Sequence, residues 1–106
     1  MNAHSVYVTP SALREIKDLP GNVRQRVKRA MDELAADPRP PGSKTLDLSD
    51  LEVAAAAAFE VCRLRIEKWR ILYTITEAER AIDVLAVRKR PPYDYADLQE
   101  LLEGLQ

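Results

Sequence analysis

The central stretch of the chain, residues 59–76, contains two runs in which apolar and polar side chains alternate. The first run covers residues 59–66 and the second covers residues 69–76. Alternation with a period of two is typical of strands that bury one face. Because only Glu67 and Lys68 separate the two runs, the pattern predicts a hairpin with a two-residue loop.

Directly opposed residues of an antiparallel pair point to the same face of the sheet. The two-residue loop places Arg65 opposite Arg70, so one face is apolar and the other carries Arg63, Arg65 and Arg70. Like charges that oppose each other cost a few tenths to about 1 kcal/mol per pair. A polyanionic ligand would offset this cost. The alternative is an ordinary solvated face whose charge is balanced by Glu60, Glu67 or an acidic segment elsewhere.

Two helices are predicted before the hairpin. Residues 5–8 are a candidate strand, after which Thr9 caps a helix and Pro10 occupies its first position. Pro20-Gly21 ends that helix, and Asn22 can cap a longer one. Each helix has one apolar stripe, as expected for a pair that covers a sheet. The stripes are Leu13, Ile16 and Leu19, followed by Val23, Val27, Ala30, Met31, Leu34 and Ala35.

The remaining segments complete the sequence of elements. Ser49 and Glu52 resemble a capping box ahead of the alanine run 54–58, which predicts a short helix. After the hairpin, residues 77–80 form a turn and residues 81–87 a third strand that continues into a basic run, 88–90. The acidic segment 97–105 predicts a short amphipathic C-terminal helix.

These elements predict an α+β fold in a single domain, residues 1–106. We expect a mostly antiparallel sheet of about four strands, covered on one face by the N-terminal antiparallel helix pair. Antiparallel sheets often leave one face open, and here the open face would carry the arginines. The acidic C-terminal helix can lie over that basic face.

Composition excludes several classes of protein. The 106 residues are 46% hydrophobic and 31% charged, as in ordinary globular domains. The sequence contains no apolar run long enough to span a membrane and no secretory signal, so a cytoplasmic protein is expected. One cysteine, Cys62, and one histidine, His4, leave no basis for a disulfide or a zinc site. We interpret Cys62 as a small core residue, and we expect neither a metal nor another cofactor.

Charge is distributed unevenly, although the net charge is only −1. Residues 63–90 hold eight Lys or Arg and four Asp or Glu, whereas residues 91–106 hold four acidic residues and no basic one. A basic central segment is compatible with a nucleic-acid ligand, because the position of charge matters more than its total.

Four pieces of the sequence resemble the RelE/ParE superfamily of toxins from toxin–antitoxin pairs. They are A-L-R-E-I-K-D-L-P after the first strand, E-L-A-A-D-P-R-P-P-G at the end of the second helix, R-L-R-I-E-K-W-R-I-L-Y in the hairpin, and V-L-A-V-R-K-R followed by tyrosines. Their order and spacing cover nearly the whole chain, and the RelE branch is favoured.

The resemblance implies a compact sheet-and-helix fold and a cognate antitoxin that wraps the toxin. RelE-type toxins enter the ribosome and cut its bound mRNA, whereas ParE-type toxins poison DNA gyrase without doing chemistry. A third possibility is an inert member that only binds its antitoxin. By matching motifs, the RelE-type site would contain Arg63, Arg65, Arg70, Arg90 and either Tyr95 or Tyr93.

Residue chemistry assigns a role to each candidate. RNA carries its own nucleophile, the 2′-OH, so cleavage needs charge stabilisation and two proton transfers but no metal ion. Arginine grips phosphate oxygens bidentately, which suits Arg65, Arg70 and Arg90 to the charge work. Tyr95, with Tyr93 as second choice, can stack on a base or transfer a proton.

Further basic residues are expected to bind RNA or to supply the base. Arg63, Lys68, Arg88 and Lys89 are predicted to bind the substrate. A lysine crowded by arginines can act as general base, and Lys68, Lys89 and Lys44 are the candidates. The alternative for each lysine is an exposed side chain that contributes only to solubility.

Overall fold

A computed structural model of the chain describes residues 3–46, 59–89 and 98–103. The predicted short helix over the alanine run lies outside these residues. The described elements follow the chain in the order β1, α1, α2, β2, β3, β4, β5 and α3. Their bounds are Ser5–Val8, Pro10–Lys17, Gly21–Leu34, Ser43–Thr45, Glu60–Ile66, Trp69–Thr76, Ala81–Lys89 and Leu98–Glu103.

The strands form one sheet in the order β1-β5-β4-β3-β2. β1 pairs in parallel with β5, and the other neighbours are antiparallel. The α+β class is confirmed. The sheet has five strands where about four were predicted, because the prediction did not include β2. That strand has only three residues, Ser43–Thr45, too few for an alternating pattern to be visible.

Both helices pack on one face of the sheet, as predicted. Thr9 caps α1 by accepting a hydrogen bond from the Ala12 N–H at 3.2 Å, with Pro10 in the first position. Two details differ. Leu13 is 44% exposed, whereas Ala12 is fully buried in its place. α2 begins at Gly21 after Pro20, so Asn22 lies inside the helix and does not cap it.

The main core lies between the helices and this first face of the sheet. α1 and α2 contribute Ala12, Ile16, Val27 and Leu34, with Leu19 from the connection between them. The strands contribute Cys62, Leu64, Ile71, Tyr73, Ile75, Ile82, Val84 and Val87. The Tyr73 hydroxyl donates a hydrogen bond of 2.7 Å to the Pro38 carbonyl, which fastens the segment after α2 to the sheet.

The second face of the sheet is not open as predicted. Val61, Leu72, Leu85 and Ala86 form a second buried cluster on this face, together with Leu102 of α3. Leu102 is 0% exposed, so α3 covers this apolar part of the face. The prediction of an open arginine face was therefore wrong for the apolar part of the second face. The alternation in β3 and β4 alone did not show that this part is a second core, which also includes residues of β5 and α3.

The register of the hairpin is the predicted one. Arg65 pairs with Arg70 and Leu64 with Ile71, across the loop at Glu67 and Lys68. The pairing of β4 with β5 contains a bulge, because Leu72 pairs with Ala86 but Tyr73 pairs with Val84. Leu85 is the extra residue, and a bulge of this kind reverses the face on which later residues fall.

Candidate functional site

Three arginines form a lateral row on the second face of the sheet. Arg65 on β3 pairs with Arg70 on β4, and Arg70 pairs with Arg88 on β5. Adjacent strands are about 4.8 Å apart, so this arginine row (Arg65, Arg70 and Arg88) consists of three arginines side by side on neighbouring strands.

The bulge at Leu85 brings Arg88 into the arginine row. Val84 lies opposite Tyr73 on the helix-covered face, and strict alternation from Val84 would place Arg88 on that same face. The extra residue instead puts Arg88 opposite Arg70 on the second face. Sequence reasoning assigned Arg88 to substrate binding but had no way to locate the bulge.

The members of the arginine row differ in their surroundings. Arg65 is exposed, whereas Arg70 is only 4% exposed. The Nη1 atom of Arg70 donates hydrogen bonds to the carbonyls of Glu67 and Trp69 at 3.3 and 3.2 Å. Arg70 thereby holds the hairpin loop, while the guanidinium of Arg65 is the more accessible to a ligand.

Arg88 is held by a carboxylate of α1. Its Nε atom donates a hydrogen bond of 3.1 Å to Glu15 Oε2, and the second oxygen of Glu15 accepts one from the Val87 N–H at 3.0 Å. The pairing of β1 with β5 ends at Val84, so the N–H of Val87 has no partner on β1. Glu15 satisfies this backbone donor instead. Glu15 is a positioning residue that the sequence analysis missed.

The unpredicted strand β2 adds a lysine to the basic face. Lys44 pairs directly with Arg63, which lies two residues before Arg65 on the same face of β3. The Nε atom of Arg63 is buried and has no hydrogen-bond partner in the described part of the chain. An unsatisfied buried donor of this kind costs about 1–3 kcal/mol.

Lys68 and Lys89 lie at the end of the sheet and not in the row. Lys68 is in the hairpin loop, and Lys89 pairs with Trp69 on the side of the sheet that faces the helices. Both side chains are exposed, and both line a cavity of about 310 Å³ together with Trp69, Glu67 and the first residues of α2.

Several predicted site residues lie outside the described part of the chain. They are Arg90, Tyr93 and Tyr95. Their roles therefore stay predictions. The described site consists of the arginine row with Lys44 and Arg63 beside it, which we call the basic face.

The opposite end of β3 has a different chemistry. Glu60 accepts hydrogen bonds from Arg39 Nη2 at 2.7 Å and from the Thr45 hydroxyl at 2.6 Å, and these partners lower its pKa to about 2. Burial, and then the nearby Glu60 carboxylate, raise the pKa of the Cys62 thiol to about 11. The interpretation of Cys62 as a core residue is confirmed by its 1% exposure.

Within residues 3–46, 59–89 and 98–103, no group of three or more His, Cys, Asp or Glu side chains is placed to hold a metal ion. Nor is any helix in these ranges long and apolar enough to cross a membrane.

One protein family matches most of the chain. Its model, described as the ParE toxin of the type II toxin–antitoxin system parDE, matches residues 6–91. No curated protein sequence matches the chain at a significant level.

Solved structures of toxins share the fold. The archaeal RelE–RelB complex from Pyrococcus horikoshii contains a chain of 17% identity and TM-score 0.70, with 84% of this chain and 97% of that chain covered. For the toxin–antitoxin complex RelBE2 of Mycobacterium tuberculosis the identity is 24%, the TM-score 0.66, and the coverage 83% and 99%. For the isolated Escherichia coli RelE toxin these values are 19%, 0.60, 98% and 100%. At such identities the matches establish a shared fold.

Proposed function

The chain belongs to the ParE family of toxins from type II toxin–antitoxin systems, and on that premise we propose that it is an endoribonuclease that cuts mRNA on the ribosome. The observation that carries the proposal is the arginine row. Three arginines side by side on adjacent strands suit a phosphodiester whose negative charge increases during the reaction.

The proposed reaction is transesterification within the RNA. The 2′-oxygen loses its proton to a general base and attacks the adjacent phosphorus, and the bond from phosphorus to the 5′-oxygen breaks. The leaving oxygen takes a proton, so the products are a 2′,3′-cyclic phosphate and a 5′-hydroxyl. The arginines stabilise the extra charge on the phosphoryl oxygens in the transition state.

Individual roles follow from the environments of the side chains. Arg65 is exposed and is assigned to the phosphoryl oxygens. Arg70 is buried against the hairpin loop and is assigned both to charge stabilisation and to shaping the site. Arg88 is oriented by Glu15 and binds substrate.

The roles of the residues beyond the described part come from the family resemblance. Arg90 is proposed to add a further contact to phosphate, and Tyr95 or Tyr93 to stack on a base or transfer a proton. No metal ion is needed for this chemistry, because the nucleophile is part of the RNA.

Lys44 is our choice for the general base among the three candidate lysines. It lies directly opposite Arg63 on the basic face, whereas Lys68 and Lys89 line the cavity at the end of the sheet. Lys44→Arg keeps a long basic side chain at this position but provides no usable proton acceptor, since arginine stays protonated. If Lys44 is the general base, this variant should bind RNA as tightly as wild type but cleave it much more slowly.

Two partners are part of the proposal. The P. horikoshii and M. tuberculosis structures are complexes of toxin with antitoxin, and by analogy a cognate antitoxin is proposed to neutralise this chain. The second partner is the ribosome carrying mRNA. The cytoplasm is the proposed location, because translating ribosomes are found there.

The decisive experiment maps the cut ends of a defined mRNA in a bacterial translation extract, with and without ribosomes. We expect cuts that require ribosomes and fall in register with codons. Arg65→Ala should lower the cleavage rate about a hundredfold or more, since it removes a contact made to developing charge. Arg29→Ala removes an exposed arginine on α2 and serves as the matched control.

Equal rates for wild type and Arg65→Ala would eliminate the proposed site. No cutting under either condition would favour a second function, inhibition of DNA gyrase without chemistry, which the match to the ParE family supports. A supercoiling assay on the same sample then separates a gyrase inhibitor from an inert protein that only binds antitoxin.

A further inference from the structure

The cavity at the end of the sheet has the chemistry of a nucleotide site. Its volume of about 310 Å³ is at the lower end of the range for small-molecule sites. The lining combines an aromatic ring, Trp69, with two ammonium groups, Lys68 and Lys89, and the side-chain amide of Asn22. Aromatic rings accept stacked bases, ammonium groups bind phosphates, and an amide can bond to a base edge.

Trp69 is held as a platform. It is partly buried and packs against the main core, while also lining the cavity. Its backbone pairs with Ile66 on one side and Lys89 on the other, so its position is set by both neighbouring strands. A ring that is already ordered loses little conformational entropy when a base stacks on it.

The net charge of the cavity favours an anion. Lys68 and Lys89 are exposed, and no carboxylate of the described residues forms an ion pair with either. Glu67 is the one acidic residue in the lining, and its carboxylate is engaged by Arg26 of α2. The two ammonium groups are therefore available to bind an anionic ligand. Arg88 and Arg39, in contrast, form ion pairs with Glu15 and Glu60.

The cavity lies one residue farther along the strands than the arginine row, on the opposite face of the sheet. Trp69 and Lys89 are paired residues of the register row next to that of Arg70 and Arg88. One residue advances a strand by about 3.3 Å and turns the side chain to the other face. RNA held on the arginine row would therefore have to pass over the end of the sheet at the hairpin loop to reach the cavity.

From these observations we infer that this cavity is a second RNA subsite, which takes a nucleotide next to the cleaved one, with its base on Trp69 and its phosphate at Lys68 and Lys89. The inference rests on the proposed function, because that function makes single-stranded RNA the ligand. At this subsite, the identity of the base next to the cleaved nucleotide would affect the binding of RNA.

Trp69 reports on its own site, because it is the sole tryptophan of the chain. The full chain is titrated with a single-stranded hexaribonucleotide while tryptophan fluorescence is followed at a series of salt concentrations. We expect saturable quenching by the stacked base. Lys68→Ala and Lys89→Ala should each weaken binding and lower the slope of log Kd against log salt by about 0.7, as for the loss of one phosphate contact to a single strand.

Lys28→Ala removes an exposed lysine of α2 outside the cavity and should leave both quenching and slope unchanged. Quenching that is absent, or equal slopes for wild type and both cavity variants, would overturn the subsite. Binding of the corresponding hexadeoxynucleotide as tightly as RNA would overturn its assignment to RNA. The ribosome assay is an independent test of the proposed function. Ribosome-dependent cleavage together with wild-type salt slopes in both lysine variants would reject the subsite alone. Quenching that weakens in the lysine variants, without any cleavage of mRNA, would reject the endonuclease alone.

Discussion

At the scale of single residues, two neighbouring side chains of β3 have different environments. The thiol of Cys62 is buried and unreactive, whereas Arg63 belongs to the basic face. Cys62 is 1% exposed and donates a hydrogen bond to Glu60 at 3.3 Å. Arg63, the next residue, points to the other face and has a buried Nε without a partner in the described structure. Alternation along β3 thus separates the core from the basic face by one peptide unit.

The raised pKa of Cys62, about 11, predicts slow modification of the native thiol. At neutral pH well under about 0.1% of the thiol is ionised, and the thiolate is the nucleophile. A disulfide reagent should therefore label native protein orders of magnitude more slowly than protein unfolded in urea. Lys28→Cys in a Cys62→Ala background places a thiol on the exposed side of α2 and is expected to react at once. Equal labelling of Cys62 in native and unfolded protein would contradict the burial.

At the scale of elements, Arg39 ties three segments together. It follows α2, and its guanidinium bonds both to Glu60 at the start of β3 and to Glu77 in the turn before β5. Thr45 of β2 donates to the same Glu60 carboxylate. Glu15 has a comparable role at the other end, where it joins α1 to β5. Short polar contacts of this kind position strands that the hydrophobic pattern alone leaves unspecified.

The lowered pKa of Glu60 predicts a loss of stability in acid. The Arg39 hydrogen bond is the main cause of the shift from 4.5 to about 2. A carboxylate with a lowered pKa in the folded state stabilises the fold above pH 4.5, and this contribution disappears as the pH falls towards 2. Arg39 is about half exposed, so solvent screening limits the effect to about 1 kcal/mol.

Urea unfolding between pH 2 and 5 measures this contribution. Glu60→Gln should flatten the decline of the unfolding free energy with falling pH, because a neutral amide cannot titrate. Glu33→Gln is the control, since that exposed carboxylate forms no ion pair among the described residues. The same pH dependence in wild type and Glu60→Gln would rule out the Arg39 contact as its origin.

At the scale of the whole molecule, the sheet is covered by helices on one face and partly covered on the other. α1 and α2 cover the first face, and α3 covers the apolar part of the second through Leu102. The basic face occupies the rest of the second face. Its guanidinium groups therefore lie next to a boundary of low polarity, where interactions with phosphate are stronger than in open water.

Leu102→Ala should destabilise the protein by about 2–4 kcal/mol, because it leaves a cavity beneath α3. Leu13→Ala, at a 44% exposed position, offers the same change of side chain on the surface and should cost under about 0.5 kcal/mol. Urea unfolding measures both, and binding of a hydrophobic dye should increase for Leu102→Ala alone. Equal stability of the two variants would mean that α3 contributes nothing to the fold.

The amino-acid sequence alone determined the hairpin and its register. Two alternating runs separated by two residues predict a tight hairpin, and that loop length places Arg65 opposite Arg70. The cap at Thr9 and the apolar side of α2 were equally predictable, because both depend on residues a few positions apart.

Only the tertiary structure decided how distant segments complete the site. The bulge at Leu85 turns Arg88 to the face of Arg70, β2 brings Lys44 to Arg63, and Glu15 reaches Arg88 from another element. Leu102 likewise shows that the second face is partly a core. The physical reason is that local periodicity is set by neighbouring residues, whereas bulges, three-residue strands and cross-element ion pairs are stabilised by partners far away in the sequence.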